Sequence, residues 1–101
     1  MKWISKKIEN FLIQEHGYKI YKTIVSYFDF DKTYMIFIYW ETNKELELIT
    51  EDIKKSIKET IINYLIANGY FPNRIQDVIV YFDSDENVQI KYNGNYFYAT
   101  R

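Results

Sequence analysis

Apolar residues at the start of the chain fall on one helical face. Ile4, Ile8, Phe11 and Leu12 are separated by steps of four, three and one, and Glu15 ends the run. Gly17 follows as a left-handed stop, and His16 stands in the last turn, where a cation is favoured. The spacing predicts an amphipathic helix over residues 3–16. From Tyr18 to Phe28 the chain becomes β-branched and aromatic and loses the helical period, which predicts a strand. Asp29-Phe30-Asp31-Lys32 supplies turn chemistry, and Thr33 to Glu41 reads as a second strand. Within it, Met35-Ile36-Phe37-Ile38-Tyr39-Trp40 is apolar at both alternating sets of positions. Such a strand lies in a sheet covered on both sides, or leaves an aromatic face for a partner.

Thr42-Asn43-Lys44 reads as a turn, and Glu45-Leu46-Glu47-Leu48 alternates like a short edge strand with one wet face. Thr50 then suits a helix N-cap, with Glu51 and Asp52 at the positive end of the dipole. Ile53, Ile57, Ile61, Tyr64 and Leu65 form the apolar stripe of that helix, and Lys54, Lys55, Lys58 and Glu59 lie outside it. Gly69 ends the helix and Pro72 prevents its resumption. The last third predicts three strands. Asp77 to Phe82 is rich in valine and isoleucine, and Asp83-Ser84-Asp85-Glu86 turns the chain. Asn87 to Tyr92 and Asn95 to Thr100 flank Asn93-Gly94, a strong two-residue hairpin signal. That register pairs Ile90 with Phe97 and Val88 with Ala99 on a core face. It pairs Lys91 with Tyr96 and Gln89 with Tyr98 on a tyrosine-rich face.

The segment Ile8-Glu9-Asn10-Phe11-Leu12-Ile13 resembles Ile61-Ile62-Asn63-Tyr64-Leu65-Ile66, and a Gly-Tyr pair follows each. Tyr27-Phe28-Asp29-Phe30-Asp31 likewise matches Tyr81-Phe82-Asp83-Ser84-Asp85. The matches are collinear, as an internal repeat requires. The predicted fold is therefore α+β: an antiparallel sheet with two helices on one face, ordered α-β-β-(β)-α-β-β-β. It forms a single domain over residues 1–101 with a duplicated α-β-β unit at 3–41 and 50–92. In that arrangement the opposite sheet face is open for binding.

Composition narrows the function classes. At 101 residues the chain is long enough for one core. The formal net charge is −1, so nothing steers the whole molecule toward phosphate backbones or anionic lipid. Cysteine is absent, which excludes disulfides and thiolate metal sites and fits a reducing cytoplasm. Lys6, Lys7 and Glu9 interrupt any signal-peptide core, and the uncharged run Thr33 to Trp40 is far too short to span a bilayer. Eleven tyrosines and seven phenylalanines are many for this length. AT-rich codons enrich Ile, Lys, Asn, Tyr and Phe together, so codon bias competes with function as the cause.

No catalytic constellation emerges. Asp83, Asp85 and Asn87 open with the spacing of a calcium loop, but Val88 stands where that loop needs glycine and Gly94 where it needs the closing acid. His16 is the sole histidine, and no serine has a nucleophile-elbow or Ser-x-x-Lys context. The expectation is a non-enzyme with no cofactor and no metal. Tyrosine and tryptophan supply large, rigid contact area at low entropy cost, so Tyr34, Tyr39, Trp40, Tyr96 and Tyr98 are candidate partner contacts, with Lys91 beside them. Asp83, Asp85 and Glu86 would complement a basic protein partner such as a nuclease. The same aromatics suit a homodimer interface. Interleaved lysines and tyrosines (Lys19, Tyr21, Lys22; Lys91, Tyr96, Tyr98) keep a small single-stranded nucleic-acid-binding domain as the alternative.

The closing stretch, Phe82-Asp83-Ser84-Asp85-Glu86-Asn87 through Tyr92-Asn93-Gly94-Asn95-Tyr96-Phe97-Tyr98, resembles the ends of small bacterial immunity-type proteins. It also resembles the anti-defence, anti-CRISPR-like proteins that phages direct against host nucleases. That resemblance implies inhibition or adaptation by tight binding in a bacterial cytoplasm. It assigns no role to any single residue.

Overall fold

Helix α1 (Lys2–His16) places Ile4, Ile8 and Leu12 on one buried stripe, as the spacing predicts. It stops at Gly17, whose φ of +71° is left-handed, and the Gly17 and Tyr18 amides return to the carbonyls of Ile13 and Leu12. The computed structural model describes residues 2–28, 33–69 and 78–100. The predicted turn at 29–32, Pro72 and the start of the strand at Asp77 lie outside them. Strand β1 (Lys22–Phe28) begins four residues later than predicted and pairs antiparallel with β2 (Thr33–Trp40), Ile24 opposite Phe37. Two helices follow, α2 (Asn43–Glu47) and α3 (Glu51–Ala67), and then β3 (Val78–Ser84). The chain ends in α4 (Asp85–Tyr92) and α5 (Tyr96–Ala99).

The fold is α+β, with α1 and α3 on one face of a three-stranded sheet in the order β1-β2-β3. The sheet is mixed, which corrects the expectation of an antiparallel one. Strand β3 runs parallel to β2, Ile36 opposite Val80 and Tyr39 opposite Asp83. Parallel strands need a long crossover, and the segment between β2 and β3 that contains α2 and α3 supplies it.

Strand β2 explains the layering. Ile36, Phe37, Ile38, Tyr39 and Trp40 are all buried, so successive side chains enter opposite cores. Ile36, Ile38 and Trp40 pack with Val25 and Val78 beneath Ile4, Ile8 and Leu12 of α1 and Ile57, Ile61 and Leu65 of α3. Phe37 and Tyr39 pack on the other face with Val88 of α4, joined by Ile24, Met35, Tyr96 and Ala99.

Three local expectations are overturned, each by capping chemistry. Glu45–Leu48 is not an edge strand, because Thr42 and Glu45 form a capping box that starts α2. The Thr42 hydroxyl accepts from the Glu45 amide at 3.1 Å, and the Glu45 carboxylate accepts from the Thr42 amide at 3.2 Å. Asp83–Glu86 is not a hairpin turn, because Ser84 caps α4 by accepting from the Asn87 amide at 3.0 Å. Asn87–Tyr92 and Asn95–Thr100 are not a hairpin but the helices α4 and α5. The Asn93-Gly94 signal keeps its backbone meaning: φ is +51° at Asn93 and +77° at Gly94, as a type I′ turn would need. Here the two left-handed residues stop a helix. Among the described residues, α1 is followed by two strands and α3 by one strand and a helix, so the duplicated α-β-β unit is not confirmed.

The N-termini of α2 and α4 interlock at the ends of the two parallel strands. Ser84 is fully buried and donates its hydroxyl to Asn43 Oδ1. The Asn43 amide donates to Glu86 Oε1 at 2.8 Å, and the Glu86 amide donates to the Glu41 carbonyl at 3.1 Å. Ser84→Ala removes both the α4 cap and the donor to Asn43. It should lower unfolding free energy by about 2 kcal/mol in urea titration, against about 1 kcal/mol for the exposed cap substitution Thr50→Ala.

Candidate partner-binding surfaces

The nine candidate contact residues separate into core, junction and surface. Trp40 is 3% exposed in the first core and Tyr39 is 1% exposed in the second. Both fail as partner contacts, because the central strand spends their rings on opposite sides of the sheet. Tyr34, at the other end of β2, is half-buried against the first core. Tyr96 covers Tyr39 edge to face, with ring centroids 4.9 Å apart. Tyr98 and Lys91 are exposed on α5 and α4.

The acidic candidates hold the C-terminal helices in place. Asp83 Oδ1 accepts from the Asn87 side-chain amide at 2.8 Å and from the Ser84 amide at 2.9 Å. Asp85 Oδ1 accepts from the Tyr96 hydroxyl and from Gln89 Nε2, the latter at 3.3 Å, which ties α4 to α5. Glu86 reaches α2 as described, an acid at the positive end of a helix. Among the described residues, no cluster of three or more His, Asp or Glu is placed to hold a metal ion.

These contacts tune two phenols. Burial, reinforced by the negative charge of Asp83 opposite it, pushes the Tyr39 hydroxyl far above the ordinary tyrosine value. Burial and the hydrogen bond to Asp85 do the same for Tyr96.

The residues that do reach solvent are not those the hairpin register selected. Ile90 is 70% exposed and Phe97 60%, although both were expected in the core. In a helix, positions two apart point about 200° from each other, so burying Val88 against the sheet turns Ile90 outward. On α5, Tyr96 and Ala99 face the sheet, leaving Phe97 and Tyr98 outside with ring centroids 5.7 Å apart. The sequence signal that could have found this surface is Ser84 followed by Asp85 and Glu86, an N-cap with acids in the first turn.

A recess lies between α1 and β1. It is a groove of about 800 Å³ bordered by Ser5 and Glu9 on one side, residues 21–25 on the other, and Tyr96. Lys22 extends over the Tyr96 ring, its ammonium 4.6 Å from the centroid. Compared with protein-family models, curated proteins and solved structures, the chain matches none. Among the described residues, no helix is long and apolar enough to cross a membrane.

Two outcomes test this placement. Trp40→Ala should cost about 3–5 kcal/mol of stability as a core truncation, whereas Tyr98→Ala should stay within about 0.5 kcal/mol in the same melts. The folded Tyr39 hydroxyl ionises at higher pH than the unfolded one, so its stabilising effect is complete below about pH 10 and is lost above it. Stability should fall above that pH by up to about 1.4 kcal/mol per unit from this group, and Tyr39→Phe should flatten that part of the denaturation profile.

Proposed function

We propose that this chain is a non-catalytic protein-binding inhibitor or adaptor whose contact surface is the outer side of the α4–α5 pair. One observation carries the reading: Ile90, Phe97 and Tyr98 are 60–70% exposed on short helices fixed from behind by Val88, Tyr96 and Ala99. Large apolar side chains on a fixed backbone lose little entropy on binding and give up much apolar surface to a partner. The acids at the N-terminus of α4 favour a basic partner, and a bacterial nuclease blocked by an immunity or anti-defence protein fits that chemistry. No turnover is required of such a protein.

The alternative, a single-stranded nucleic-acid binder, is favoured by a different place: exposed Tyr21 beside the Lys22–Tyr96 stack. Salt separates the two, because phosphate-held complexes weaken steeply as ions are added while aromatic-centred protein interfaces weaken little.

Cross-linking in the native host followed by mass spectrometry identifies the partner, and calorimetry with the purified pair supplies the test. The double substitution Ile90→Asp and Phe97→Asp should leave melting unchanged to within about 0.5 kcal/mol per site and weaken binding at least about tenfold. Undiminished affinity in that variant would move the interface elsewhere.

A further inference from the structure

We infer that the groove between α1 and the outer edge of β1 binds an extended peptide segment of a partner protein, one carrying a lysine or arginine side chain for Glu9. The inference stands apart from the α4–α5 surface. It begins with the sheet order: among the described residues, β1 pairs with β2 on one side only. The Val25 amide donates to Ser5 Oγ at 2.9 Å, so it points away from β2. In an antiparallel pair, alternate residues present their amide and carbonyl groups to the same edge, so Thr23 turns its own groups that way too. Five consecutive residues of this segment, 21–25, border the groove, so its wall includes backbone as well as side chains. An extended peptide laid there would meet the main-chain amide and carbonyl of Thr23, the Val25 amide being held by Ser5 Oγ.

The second observation is independent of the strand edge. Thr23 is 6% exposed, and its hydroxyl is buried without a hydrogen-bond partner among the described residues. Such a group weakens the free protein, and few survive in folded chains without a reason. Rotation about the Cα–Cβ bond would bring the hydroxyl toward the groove, where a peptide amide or carbonyl could satisfy it. The unmet need of the free chain is thereby met in the complex.

Charge selects the side chain. Glu9 is 9% exposed, which is unusual burial for a carboxylate. Its partner is Lys6 Nζ at 2.9 Å, on a side chain that is 75% exposed. An ion pair with one end so exposed contributes little and yields readily to a competing cation. Lys6 thus marks where an ammonium or guanidinium sits. The other nearby cation, Lys22, is turned onto the Tyr96 ring at the end of the groove.

The test uses the full chain, ¹⁵N-labelled, and capped hexapeptides of alternating threonine and valine with a central lysine, alanine or glutamate. The lysine peptide should shift the amide resonances of Thr23 and its neighbours, slow exchange of the Thr23 amide, and bind at least about fivefold tighter than the glutamate peptide. Thr23→Val should raise the melting temperature of the free chain while weakening the peptide at least about threefold, a pairing that a purely structural threonine would not give. Glu9→Gln should abolish the preference for lysine, and Phe97→Asp should leave peptide binding intact. Absence of Thr23 shifts at millimolar peptide, equal affinity for the lysine and glutamate peptides, or a lowered melting temperature for Thr23→Val would each overturn the inference. So would Thr23 shifts that depend on protein concentration without peptide, which would assign the edge to a second copy of the chain.

Discussion

Burial of β2 on both faces is the constraint on which the rest of the structure depends. Its five buried residues from Ile36 to Trp40 alternate between two cores, so neither side of this strand can be left to water. The long amphipathic helices α1 and α3 meet the demand on one side. On the other, the chain after β3 must supply cover for Phe37 and Tyr39, and α4 and α5 do so with Val88, Tyr96 and Ala99. A fourth and fifth strand added to the sheet edge would have left Tyr39 open; two short helices folded back across the face cover it.

That cover is a small structure held at many points. The interlocked caps of Ser84, Asn43 and Glu86 fix the start of α4 against α2, and Asp85 joins it to Tyr96. Polar side chains that would be free on an open hairpin are thereby committed to internal bonds. The consequence for binding is geometric. Because one side of each short helix is anchored, the side chains on the opposite side, Ile90, Phe97 and Tyr98, are presented at fixed positions. A surface of this kind favours recognition by contact area.

The two candidate surfaces differ in physical kind. The α4–α5 surface presents the exposed side chains of Ile90, Phe97 and Tyr98. The α1–β1 groove is a recess, and beside it lie the buried Thr23 hydroxyl and a carboxylate held by a mostly exposed lysine. Tyr96 touches both, packing on Tyr39 in the core while bordering the groove beside Lys22.

What the sequence determined by itself were the features that depend on local periodicity and local stops. The stripes of α1 and α3, the glycine ends at Gly17 and Gly69, and the doubly apolar strand β2 all follow from side-chain spacing. Asn93-Gly94, read as a hairpin turn, instead ends α4, with both residues left-handed. Tertiary structure decided what such signals connect. Val88, Ile90 and their polar neighbours alternate equally well for a strand or for a two-turn helix, and the Ser84 cap together with the need to cover Tyr39 selects the helix. The same choice sent Ile90 and Phe97 outward and Trp40 inward, so the aromatic candidates could be counted from the sequence but not sorted. The parallel pairing of β2 with β3 and the groove beside β1 arise from contacts between distant segments. Periodicity describes one element at a time, whereas a strand edge or a buried hydroxyl without a partner exists only relative to its neighbours.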